Sequence, residues 1–318
     1  MRRIAGALFV PLIATAALAG CGGSSSSRPP SPNGSVTATG GFGHAPTVKI
    51  PARAAGSNLY IKTEVQGSGT TLTSTDAFLG NYVLYIWSGT THKLALSTYT
   101  ATPQVLSGHL LPGLQTALDG KKMGSRVLAV LPPKYGFGAA GNPQAGVTGT
   151  DTLVFVVDMI RAYTGTASAS GAQVSDGGAG LPTVSAAAEG APTVKIPSSA
   201  PPSNLVVKTL IKGSGPPVAK GQEVVAQYVA LNWRTKSIFD SSWSRGVPTG
   251  FQIGASPAQI IAGWDKGLLG VPVGSRVLLV IPPKDGYGSA GQAQAGIKGT
   301  DTLVFVVDVL DAAAGGAG

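Results

Sequence analysis

The chain is short of nearly every side chain that covalent chemistry relies on. It has one cysteine in 318 residues, Cys21, so no disulfide forms within it and any fold must rest on its own core. Its three histidines, His44, His92 and His109, are far apart, and none stands beside a cysteine or a carboxylate cluster. That pattern speaks against a metal centre. Ser241 and Ser242 have no histidine in their half of the chain, which speaks against a hydrolase triad. Charged residues make up only 12%. The net charge is +9, yet no Lys/Arg run or interleaved aromatic stripe suggests nucleic acid. Gly136–Gly141 and Gly286–Gly291 both match G-x-G-x-x-G but lack the following helix that a dinucleotide site needs. No cofactor is expected.

Glycine and proline are what the chain has instead, 46 and 23 residues. They point to short strands, turns and flexible connections. The N-terminus reads as an export signal: Arg2 and Arg3, then an apolar run from Ile4 to Ala19, short for a membrane span. Its ending, Leu18-Ala19-Gly20-Cys21, resembles the bacterial lipoprotein processing box. The resemblance implies a signal peptide over 1–20, a lipid on Cys21, and an extracytoplasmic protein anchored to the bacterial cell membrane. Residues 21–44 then read as a flexible tether.

The rest is a duplication. Gly149–Asp158 recurs letter for letter at Gly299–Asp308, 150 residues later. Ala45–Pro51 recurs at Ala191–Pro197, 146 residues later. The length difference falls around Phe239–Gly246, for which the first copy shows no counterpart in sequence. The expected layout is a first domain over 45–163, a linker over 164–190, a second domain over 191–312 and a flexible tail over 313–318.

In the second copy, Leu205–Ile211, Glu223–Trp233, Gly250–Ile253, Arg276–Ile281 and Thr302–Leu310 read as strands. Pro257–Gly270 reads as one helix capped by Ser256, with Ile260, Ile261, Trp264 and Leu268 on its apolar face. Several strands with one short helix predict an α+β class, an antiparallel sheet packed on a single helix.

Tyr228, Phe239-Asp240-Ser241-Ser242, Arg245-Gly246, Ile260-Ile261-Ala262-Gly263-Trp264, Gly274, Gly286-Tyr287-Gly288 and Leu303-Val304-Phe305 follow one another over the second copy. This series resembles the FKBP-type peptidyl-prolyl cis-trans isomerases. The resemblance implies two FKBP-like domains, each a curved antiparallel sheet wrapped around one short helix. It implies a pocket with Trp264 as floor and Tyr228, Phe239 and Phe305 as walls. Ile260 and Ile261 would line one side, with the Ile261 N–H meeting a substrate carbonyl. Tyr287 would donate to another carbonyl, Asp240 would sit at the edge held by Arg245 and Tyr228, and Ile297 would close the flap side. Gln259 and Thr249 depart from the family, which often has an acidic and an aromatic residue there.

The first copy keeps Tyr82 and Phe155, but Leu114 stands for Trp264 and Phe137 for Tyr287. The expected function is isomerisation of X-Pro bonds in exported, folding proteins, carried by the second domain. The alternative is a non-catalytic binding module, a holdase for unfolded exported chains. Partners on either reading are proline-containing unfolded proteins and, through the lipid, the membrane.

Overall fold

A computed structural model describes residues 32–108, 110–175, 177–185 and 190–314. The expected signal peptide and Cys21 lie outside the described residues, as do His109 and residues 315–318. The first half contains β1 (Thr37–Thr39), β2 (Thr47–Lys49), β3 (Tyr60–Val65), β4 (Ala77–Ser88), β5 (Thr91–Ser97), β6 (Gln104–Leu106), α1 (Pro112–Leu118), β7 (Arg126–Leu131) and β8 (Thr152–Tyr163). Between the halves runs β9 (Ala172–Gln173). The second half contains β10 (Thr183–Ser185), β11 (Thr193–Lys195), β12 (Val206–Lys212), β13 (Glu223–Asn232), β14 (Ile238–Ser241), β15 (Thr249–Gln252), α2 (Ala262–Leu268), β16 (Arg276–Ile281) and β17 (Leu303–Ala313). The main sheets run β3-β7-β8-β4-β5 and β14-β13-β17-β16-β12-β9, with β6 and β15 pairing off β4 and β13.

β7 and β16 are buried at every position. An antiparallel strand usually alternates between core and water, so such runs need cover on both faces. The helix covers one face: Val277, Leu279 and Ile281 join Leu303, Phe305 and Val307 in a core with Trp264 and Leu268. On the other face Leu278, Val280, Val304 and Val306 meet Val184 and Ile196 from the β10–β11 hairpin. The first half repeats the scheme, with Val36, Ala38 and Ile50 around the β1–β2 hairpin covering Leu128, Val130, Val154 and Val156.

This corrects two sequence expectations. Residues 32–44 and 164–190, read as tether and linker, carry β1, β9 and β10. In and just before β1, and in β10, a few apolar residues, Val36, Ala38 and Val184, alternate with exposed ones and face the sheet, which mean composition conceals. The tail shortens too, because β17 continues to Ala313. The helix also differs from its expected span. α2 starts at Ala262, with Ile261 extended before it, and Ser256 does not cap it. Gly263 and Gly267 lie against Ile281 and Leu279 with no room for a Cβ. So short a helix is held by that contact with the sheet rather than by propensity.

An ion pair is buried in each half. Arg126 and Asp158 bond at 2.6 Å and are essentially unexposed; Arg276 and Asp308 do the same 150 residues on. The first pair also holds the β1–β2 hairpin tip: Arg126 donates to the carbonyls of Gly40 and His44, and Asp158 accepts from Gly43 N–H at 2.7 Å. Asp308 accepts from Ala169 N–H at 2.8 Å, which fastens the chain between the halves to the second sheet.

The halves meet through equivalent elements. β6 packs beside β15, where Val105 leaves no space for a Cβ on Gly250. Arg161 bonds Asp311 at 2.7 Å, and these two residues hold the same place in the two copies. Tyr163 also donates to Asp311. Glu223 is buried at this junction, 3.5 Å from the Val105 N–H, and burial and then the Glu223 charge raise the Tyr82 phenol. Burial raises the Glu223 carboxyl from 4.5 to about 7, against the Val105 hydrogen bond that lowers it. A raised folded value favours the protonated form. Its contribution is full below the unfolded value near 4.5 and is lost as pH rises through about 7, on the order of 3 kcal/mol in all. We therefore expect the junction to tighten as pH falls from 8 to 5. Small-angle scattering should show a smaller radius at the lower pH, and Glu223→Gln should abolish that difference.

Candidate active site

The cleft of the second half is built around one indole. Trp264, at 5% exposure, comes from α2 and meets three rings edge-on: Phe251 at 4.8 Å, Phe305 at 5.2 Å and Tyr228 at 5.3 Å between centroids. Phe239 packs edge-on against Phe305 at 5.9 Å. Perpendicular contacts set electropositive ring edges against electronegative faces and hold each ring in one orientation. Ile260, Ile261 and Tyr287 are partly buried against this cluster, and Ile297 is buried in it. From the sequence Phe251 was not expected to replace the aromatic residue absent at Thr249, yet it stands against the indole. It pairs with Val224 across the β13–β15 ladder, which turns its ring onto the indole, and only that register reveals it.

Polar groups gather at one edge. The Tyr228 hydroxyl donates to one Asp240 oxygen, and Arg245 donates to the other. Arg245 also donates to the Tyr228 hydroxyl oxygen at 2.8 Å, with its guanidinium 5.4 Å from that ring's centroid. Burial, reinforced by Asp240, raises the Tyr228 phenol far above its ordinary value, so it remains a donor. Burial and then the Asp240 charge raise Tyr287 as well, which places that carboxylate within electrostatic reach of the second phenol. The Asp240 and Arg245 side chains are 40% and 44% exposed. A pair so open to water contributes at most about 1 kcal/mol to stability. Its fixed geometry is thus poorly explained by folding alone.

The loop bearing Arg245 is held from beneath. Ser242 is fully buried, and its hydroxyl accepts from Tyr228 N–H at 2.7 Å and donates to Gln227. Neither role was read from the sequence, where a serine after Phe-Asp-Ser carries no signal of burial.

The first half builds the corresponding site without the carboxylate, the indole or the second phenol. β5 pairs with β4 as β14 pairs with β13, so Ile238–Ser241 has a counterpart in Leu94–Ser97, where the sequence reading had expected no counterpart and only a shorter loop through His92–Leu96. Leu96 faces Leu84 in the register where Asp240 faces Ala230. Leu114, Phe137 and Phe155 complete an apolar lining, and Tyr82 lies 6.3 Å from Phe155.

Comparison with known proteins fits this geometry. The model of the FKBP-type peptidyl-prolyl cis-trans isomerases matches residues 70–160 and 215–310, more than half of the chain. The chain belongs to that family. An "FK506-binding protein" from Streptomyces anulatus is 41% identical over 119 residues, 37% of this chain and 94% of that relative. A "Probable FK506-binding protein" from Corynebacterium glutamicum is 37% identical over 121 residues, 38% of this chain and 98% of that relative. The Arabidopsis thaliana protein "Peptidyl-prolyl cis-trans isomerase FKBP13, chloroplastic" is 40% identical over 136 residues, 41% of this chain and 61% of that relative. Both halves match the FKBP family model, so membership alone does not distinguish them.

Removing Phe251 should open a void beside Trp264. Phe251→Ala is expected to destabilise the second half by about 3 kcal/mol, read as a lower urea midpoint for its transition with the first-half transition unmoved.

Proposed function

We propose that the second half is a peptidyl-prolyl cis-trans isomerase acting on exported proteins, and that the first half has little or no such activity. On this reading each half is an FKBP-like domain, a curved antiparallel sheet around one short helix. The supporting observation is that Leu96 stands at the register position of Asp240, in a first-half site where Leu114 and Phe137 also replace Trp264 and Tyr287.

The chemistry needs no covalent step. Rotation about an X-Pro bond is slow because it breaks amide resonance, a barrier of about 18–20 kcal/mol. The twisted amide carries less charge separation than the planar one, so removing water stabilises it relative to the ground state. The rings of Trp264, Phe305, Phe239 and Phe251 supply a dry floor for the proline. Asp240, steadied by Tyr228 and Arg245, faces the twisting amide from the rim. Tyr287 and the Ile261 N–H hold peptide carbonyls on either side, while Ile260 and Ile297 keep the ring from sliding.

The holdase reading draws on the first half. Leu94 and Leu96 on β5 are 52% and 45% exposed beside an apolar cleft, a surface suited to retaining an unfolded segment without acting on it. The two readings are compatible as a division of labour between the halves.

In the full chain, Asp240→Ala should lower kcat/KM for short X-Pro peptides roughly ten- to hundredfold, and Tyr287→Phe roughly fivefold. Phe137→Ala in the first half should leave it unchanged. Turnover that survives Asp240→Ala, or vanishes with Phe137→Ala, would overturn the assignment to the second half. We further propose that Cys21 carries a lipid anchor at the outer face of the cell membrane. Expressed in a bacterial host, the chain should fractionate with membranes and take up labelled palmitate, and Cys21→Ala should lose both properties.

A further inference from the structure

The hydrogen bonds beneath the Asp240 loop end outside the second half. Ser242 accepts from Tyr228 N–H and donates to Gln227, which is wholly buried. Gln227 Nε2 donates in turn to the carbonyl of Gly165 at 2.7 Å. Gly165 lies just past β8, in the chain that joins the halves. It presses on the loop itself, for a Cβ there would overlap the Gly246 carbonyl, one residue after Arg245. Gly165 is also held on both sides. Before it, Tyr163 bonds Asp311; after it, Ala169 N–H bonds Asp308, and the N–H groups of Ser170 and Gly171 reach the Gly274 carbonyl.

The first half has the same relay in a shorter form. Tyr82 N–H donates to Thr98 Oγ1 at 2.9 Å, and Thr98 donates to Asn81 Oδ1 at 3.0 Å. Asn81 and Gln227 hold the same place in the two copies. The second copy's amide is longer by one methylene, and that reach is what meets Gly165. Ser242 opens the turn carrying Arg245, whose N–H bonds the Ser242 carbonyl at 3.1 Å. A displacement of Ser242 therefore moves both Arg245 and the Tyr228 backbone.

We propose that Gln227 is a positioning residue for the isomerase reaction, through which the inter-domain chain at Gly165 sets the geometry of the Tyr228–Asp240–Arg245 cluster. The first half then serves the second half's site without touching substrate. This rests on the isomerase reading of that cluster.

Two variants of the full chain test it from opposite sides. Gln227→Asn keeps the acceptor for Ser242, as in the first half, but falls short of Gly165. Gly165→Ala forces the chain off the loop and leaves every cleft residue unsubstituted. Each should lower kcat about 3- to 30-fold with KM for an X-Pro peptide nearly unmoved, and should speed amide exchange at residues 242–246 alone. Unchanged kcat and unchanged exchange in both variants would overturn the proposal. So would a loss of kcat accompanied by faster exchange throughout the sheet. Were the wild-type chain inactive, the isomerase reading would fail by itself. Exchange at 242–246 would then decide the coupling, faster supporting it and unchanged overturning it.

Discussion

A sheet that is apolar on both faces has to be covered twice, and the rest of this molecule follows from that constraint. The helix, with side chains from the loops and strands around it, shields one side of β7, β8, β16 and β17. The hairpins before each sheet shield the other. The buried Arg126–Asp158 pair ties the first of those hairpins to the strands, Asp308 of the second pair holds the inter-half chain at Ala169, and each pair is viable only because both charges find partners. The strands bearing Tyr228 and Phe305 are thereby fixed from behind as well as in front. A cleft that works by excluding water gains from such rigid walls.

The central strands were legible because β-branched runs between Pro and Gly have few alternatives; β16 occupies the residues its pattern indicated. The outer hairpins were not, since two or three alternating apolar residues among Gly, Ser and Thr resemble a linker in composition. Their necessity was nevertheless written in β7 and β16, whose unbroken apolar runs are too rich for a one-sided antiparallel sheet. The helix was overextended because an apolar period continues through Ile260 and Ile261. Those residues instead stand in the extended approach to α2, where they reach the cleft.

The residues named by resemblance gather around one indole, but the resemblance is silent on what distinguishes the two clefts. Sequence alone aligned no residue with Asp240, because the insertions fall next to it. The ladder supplies the missing alignment, and with it the substitution of Leu96 for a carboxylate. The roles of Ser242, Gln227 and Phe251 went unread for a related reason. Their importance lies in pairing across strands, and a linear pattern does not record which residue faces which.

Arg161 and Asp311 meet although they are the same position counted twice. Two first halves brought together in this way would set arginine against arginine, and two second halves would set aspartate against aspartate. Only a first half facing a second half brings opposite charges together. The contact therefore sorts by kind: it admits unlike halves and disfavours the pairing of two like ones.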